Sequence, residues 1–147
     1  MSSAGDASAG RRFFSALGPR CSNCHRHSGR GGRIGPDLTR IGRNTSRERV
    51  IASILQPSQE IAPRYQPWTL QTADGKTRAG LRLPRGGDSG EEFYADATGM
   101  EFTLRSDQIE YRAASDVSVM PAGLENALTS QELRDLVEFL MTGSPVE

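Results

Sequence analysis

Cys21-Ser22-Asn23-Cys24-His25 holds both cysteines of the chain and one of its two histidines. A C-x-x-C-H run is the attachment sequence of c-type haem. The spacing has a chemical reason. Two thiols on one short helical turn can each add to one of the two vinyl groups of a single porphyrin. The imidazole that follows then lies under the ring, where it can bind the iron. The stretch predicts one haem c, covalent through Cys21 and Cys24, with His25 as a metal ligand.

Other chemistries of the same residues fit less well. A zinc site wants four ligands, and Cys21, Cys24, His25 and His27 crowd one segment with no second pair at finger-like spacing. A thioredoxin-like pair follows a strand in a βαβ unit, whereas residues 11–17 before the motif read as helix. A plain disulfide leaves His25 without a role.

Composition sets the frame. A length of 147 residues predicts a single domain, 1–147, with an elaborated insertion. The hydrophobic share of 35% is low for a globular chain, and a buried porphyrin supplies apolar volume that the side chains lack. Eighteen basic and eighteen acidic residues cancel. No basic stripe points to nucleic acid, and no polybasic helix points to an anionic membrane. No apolar run approaches the length of a membrane span. Residues 1–8 lack the basic and apolar regions of a signal peptide. Thioether attachment of haem takes place outside the cytoplasm. The expectation is therefore a periplasmic or otherwise exported domain, excised or mature, whose export signal is not present in this chain.

Hydrophobic spacing predicts a first helix over residues 9–17, with Phe13, Phe14 and Leu17 on one side. A second runs over 46–55, capped by Thr45 or Ser46, and a last from Thr129 or Ser130 to about Met141. Between them the period changes to two. Trp68, Leu70 and Thr72 alternate; Asp74-Gly75 offers a hairpin turn; Ala79, Leu81 and Leu83 alternate again. Phe93 and Ala95, then Met100, Phe102 and Leu104, then Ile109 and Tyr111 mark three more strands. Residues 65–112 are thus expected to be an antiparallel β-meander of about five short strands or a small half-barrel, inserted in a helical protein, with a loop at residues 86–90.

The other face of the iron needs a ligand. His27, two residues from His25, cannot reach across the ring and is expected at solvent or beside a propionate. Of the four methionines, Met1 is at a loose terminus and Met141 ends a helix. Met100 stands among strands, where a core role is the plain alternative. Met120, in Ser118-Val119-Met120-Pro121, lies in an irregular loop beside a proline that restrains the backbone. Met120 is preferred to Met100 as the second axial ligand.

The order of helix, C-x-x-C-H, Gly35-Pro36-Asp37-Leu38, Met120-Pro121 and terminal helix resembles a class I cytochrome c. Residues 34–42, 53–58 and 120–124 more narrowly resemble the C-terminal haem-binding domain of large exported bacterial multi-domain proteins. The resemblance implies a mainly α fold around one covalent haem. It implies that Pro36 offers its carbonyl to the other ring nitrogen of His25, and that Ile34 and Leu38 pack on the haem face. Arg43 would pair with a propionate, and Trp68 would donate its indole N–H to one. Gly10 and Phe14 would meet the last helix near Leu136 and Phe139.

The function implied is electron transfer with His/Met ligation, not enzymatic turnover. The partner would be a redox protein or a fused dehydrogenase-like domain. The alternative is a haem-based enzyme or small-ligand sensor with a displaceable methionine.

Overall fold

Asp6 accepts hydrogen bonds from the amides of Ser8 and Ala9 and so starts helix α1, Ala7–Ser15. The computed structural model describes residues 4–85 and 89–143, so Met1 and the tip of the expected 86–90 loop (residues 86–88) lie outside the described residues. Helix α1 begins two residues earlier than the apolar spacing suggested because Asp6 is its cap. It ends at Ser15, which leaves Leu17 outside the helix and 50% exposed. A four-residue turn, α2 (Ile41–Asn44), precedes α3 (Arg47–Leu55), whose cap is Ser46. Helix α4, Ser130–Thr142, is capped by Thr129 in a reciprocal box. The Thr129 hydroxyl accepts from the Glu132 amide, and the Glu132 carboxylate accepts from the Thr129 amide.

The chain divides into two compact units, Met1–Gln56 with Ala122–Glu147, and Pro57–Pro121. In the first unit α1 packs on α4. A Cβ on Gly10 would overlap the carbonyl oxygen of Asp135, so only glycine permits this approach. Phe14, Leu136, Val137, Phe139 and Leu140 are buried there, together with Val50 and Ile54 of α3. A minimal hairpin, β1 (Arg26–His27) with β2 (Arg30–Gly31), completes the unit.

The second unit is an antiparallel sheet of β3 (Trp68–Thr72), β4 (Thr77–Arg82), β5 (Glu91–Ala95), β6 (Glu101–Arg105) and β7 (Ile109–Ala114). Asp74 and Gly75 make the β3–β4 turn, as their sequence suggested. The strand order is β6-β5-β4-β3-β7. A simple meander would pair β7 with β6; here β7 pairs with β3. A flat sheet would hold the two edges about 19 Å apart, yet the steps from Arg105 to Ile109 span at most about 14 Å. The sheet therefore coils until its edges approach.

Inside the coil, Leu70 and Tyr94 are fully buried and Leu81 nearly so. Glu92 of β5 shares this interior, 2% exposed. It accepts from the Tyr94 hydroxyl at 2.7 Å and from both terminal nitrogens of Arg112 at 2.9 and 3.0 Å; Arg82 lies 3.4 Å away. Phe93 and Ala95 were the residues that marked this strand in the sequence. Ala95 is buried, but Phe93 is only half-buried, and Glu92 and Tyr94 fill the interior.

These strands correct the fold class. The described residues are 35% helical and 23% strand, with a five-stranded sheet, which makes the chain mixed α and β rather than a mainly α, class I cytochrome c-like fold. The physical reason is that the strands do not decorate a helical body. They close on one another around a core of their own, with Leu70, Leu81 and Tyr94 at its centre.

Candidate haem-attachment site

Cys21 opens a single turn of 3-10 helix, Cys21–Asn23, and Cys24 caps its end; the turn is entered through Arg20 in the left-handed region at φ 49°. The Cys21 carbonyl accepts from the Cys24 and His25 amides at 3.2 and 2.9 Å. This winding puts residues 21, 24 and 25 on one turn, as the motif's chemistry requires. The following loop then folds back onto it. Gly32, Gly35 and Leu38 donate their amides to the carbonyls of Ser22, Cys24 and Arg26, each at 2.8 Å.

That return places the Pro36 carbonyl 2.8 Å from Nδ1 of His25. With Nδ1 carrying the proton and donating to Pro36, Nε2 keeps its lone pair for a metal. Burial of the ring lowers the His25 pKa below the usual histidine value, only partly opposed by the Pro36 hydrogen bond. The neutral, ligating form is thereby favoured. Gly35 lies flat against the imidazole: a Cβ there would sit 2.6 Å from Cε1 and 2.8 Å from Nδ1. Sequence reading assigned Pro36 a role but none to Gly35. The glycine in the Gly-Pro pair was the available signal.

Gly35→Ala is accordingly expected to push the ring off the Pro36 carbonyl. In the unliganded chain the Nδ1 proton of His25 should then exchange with solvent about tenfold faster, the equivalent of one lost hydrogen bond. Nuclear magnetic resonance of the imidazole proton measures this, and an unchanged exchange rate would refute the contact's importance.

Cys21 and Cys24 are not joined in a disulfide, and both are half-buried. Burial, reinforced by the neighbouring Cys24 and opposed by a backbone hydrogen bond, pushes the Cys21 pKa up to about 11. Catalytic redox pairs have a lowered thiol pKa, so this is the wrong electrostatics for a thioredoxin-like centre. Among the described residues no three His, Cys, Asp or Glu side chains converge as a metal cage. Two thiols and an imidazole with a free Nε2 on one turn do fit a covalently attached haem.

Ile34 is buried, Leu38 is half-buried beside the returning loop, and Arg43 is exposed on α2. Gly10 and Phe14 meet α4 as expected, with the Phe14 and Phe139 rings 5.6 Å apart. His27 departs from expectation. It is 4% exposed, wedged between Phe14 at 5.6 Å and Phe139 at 4.4 Å, with Nδ1 on the Ser28 hydroxyl and no partner at Nε2. Strand β1 turns residue 27 inward against these rings, and burial lowers its pKa, with Asp37 opposing the shift and Arg11 adding to it.

Trp68 and Met120 belong to the second unit. Trp68 opens β3, half-buried, opposite Gly80 and Ala114. Met120 is half-buried in an irregular segment, whereas Met100 is 66% exposed ahead of β6 and fills no strand core. No helix of the described residues is long and apolar enough to cross a membrane. No family model matches the chain, and neither does any curated protein.

Proposed function

We propose that this chain carries one haem c, attached through Cys21 and Cys24 and ligated by His25 and Met120, and works as an electron carrier rather than an enzyme. The observation that carries the reading is the His25 ring, held by the Pro36 carbonyl and covered by Gly35 on the turn that presents both thiols. When bound, the haem supplies one-electron chemistry between ferric and ferrous iron.

The chain's own residues would do the rest. The two thiols anchor the ring against loss. Pro36 fixes the His25 tautomer and raises its basicity. Ile34 and Leu38 offer apolar surface to the ring face. Arg43 and Trp68 offer N–H donors suited to a propionate. Thioether sulfur from Met120 favours the ferrous state and so a higher potential. With zero formal net charge, docking to a redox protein or fused dehydrogenase-like domain would rest on local patches more than on long-range steering. The setting would be periplasmic or otherwise exported, where haem attachment occurs.

The test is the visible spectrum of the chain produced together with haem-attachment machinery. A low-spin spectrum with the weak sulfur-to-iron band, lost in Met120→Ala and kept in Met100→Ala, is the expected result. A high-spin spectrum that changes on adding carbon monoxide or cyanide would favour a sensor or enzyme. A colourless protein would end the haem reading.

A further inference from the structure

The irregular segment that carries Met120 is held by serine hydroxyls. The Met120 amide donates to Ser118 Oγ at 3.1 Å. The Ser118 amide in turn donates to Ser58 Oγ at 3.0 Å, across 60 residues of sequence. Upstream, the Val117 amide donates to Ser115 Oγ at 3.1 Å, and the Ser115 amide donates to the Pro67 carbonyl at 2.9 Å. The Gln66 side-chain amide donates to the Ser115 carbonyl. All these groups lie in the second unit. Residues 115–120 have no helix or strand of their own, so these bonds stand where backbone pairing would otherwise satisfy and order the chain.

We propose that Ser58 and Ser118 are positioning residues for the methionine ligand, a role that rests on Met120 being the second axial ligand. A thioether binds ferric iron weakly enough to be displaced. The balance between bound and free methionine therefore depends on how far its backbone is ordered beforehand. The Met120–Ser118–Ser58 relay ties that backbone to the segment just after Pro57, 60 residues away along the chain. Loosening it should raise the population in which the sixth position is open.

The experiment is titration of the ferric holoprotein with imidazole, which competes for that position, alongside the sulfur-to-iron band. Ser58→Ala and Ser118→Ala should each tighten apparent imidazole binding about two- to tenfold, the effect of losing one hydrogen bond. Ser58→Thr, which keeps the hydroxyl, should return the parental value. Haem content and far-ultraviolet circular dichroism should stay at parental levels, which separates positioning from general unfolding. Parental imidazole affinity in both alanine variants would overturn the positioning role while leaving Met120 as ligand. Met120→Ala with the band and the imidazole affinity unchanged would overturn the ligand assignment, and the positioning role with it.

Discussion

Glu92→Gln is expected to destabilise the second unit by about 3 kcal/mol at neutral pH, because it leaves Arg112 without its buried counter-charge. The carboxylate is almost wholly buried, while Arg112 and Arg82 have side chains 41% and 44% exposed. Water can therefore compensate the two guanidiniums in part, and the cost belongs at the lower end of what breaking a buried pair brings. The Arg112 hydrogen bonds, aided by the Tyr94 hydroxyl and the Ser106 side chain, outweigh burial and hold the Glu92 pKa down at about 2, from a usual value of 4.5. Tyr94 is pushed up to about 12 by burial and by Glu92, so it remains a donor throughout.

The folded pKa is depressed, so the carboxylate's contribution is fully present above pH 4.5 and is lost as pH falls through about 2. The gap between parent and Glu92→Gln should close over that window. Urea unfolding followed by the fluorescence of Trp68, the only tryptophan, reports on this unit directly because Trp68 opens β3. A difference that stayed constant down to pH 2 would show that Glu92 acts through shape and not through charge.

Gly10→Ala should cost the first unit about 3 kcal/mol or more. The added methyl would meet backbone atoms of Asp135 and Leu136 rather than a side chain able to rotate away. Helix α1 would have to lift from α4, disturbing the packing of Phe14 against Phe139. Alanine's better helix propensity returns only about 1 kcal/mol. Ser8→Ala, an exposed change on the same helix, provides the control. Thermal unfolding followed by helical circular dichroism makes the comparison. Equal midpoints for the two variants would refute the close-approach account.

Much of the candidate site was legible in sequence because the chemistry proposed for it constrains neighbours along the chain. Two thiols and an imidazole must stand at fixed intervals to meet one porphyrin, and a reader needs no partner from elsewhere to see them. Strand positions were legible for a similar local reason, since a half-buried strand repeats every second residue. The alternation around Trp68–Thr72 and Ala79–Leu83 marked β3 and β4. Alternation marked β5 too, through Phe93 and Ala95, but did not show that Glu92 and Tyr94 of that strand would be buried. Period two cannot announce a buried carboxylate, because Glu92 is held there by Tyr94, by Arg82 and by an arginine twenty residues away.

The same boundary explains His27 and the class of the fold. His27 was expected outside because polarity is read locally, yet a two-residue hairpin turns it between Phe14 and Phe139. The inserted strands were seen, but not that β7 would leave β6 for β3 and build a second core.

By itself the sequence determined the Cys21–His25 turn and the runs that become strands, and it narrowed the starts of α3 and α4 to neighbouring residues while missing Asp6 as the cap of α1; alternation and the motif's spacing are properties of residues close along the chain. Only the tertiary structure decided that Gly35 covers His25, that Ser58 reaches Ser118, and that the protein is mixed rather than mainly helical. Each of those depends on which distant segments return to one another. That choice is made by closure of the coiled sheet and by close helix packing, which local pattern does not encode.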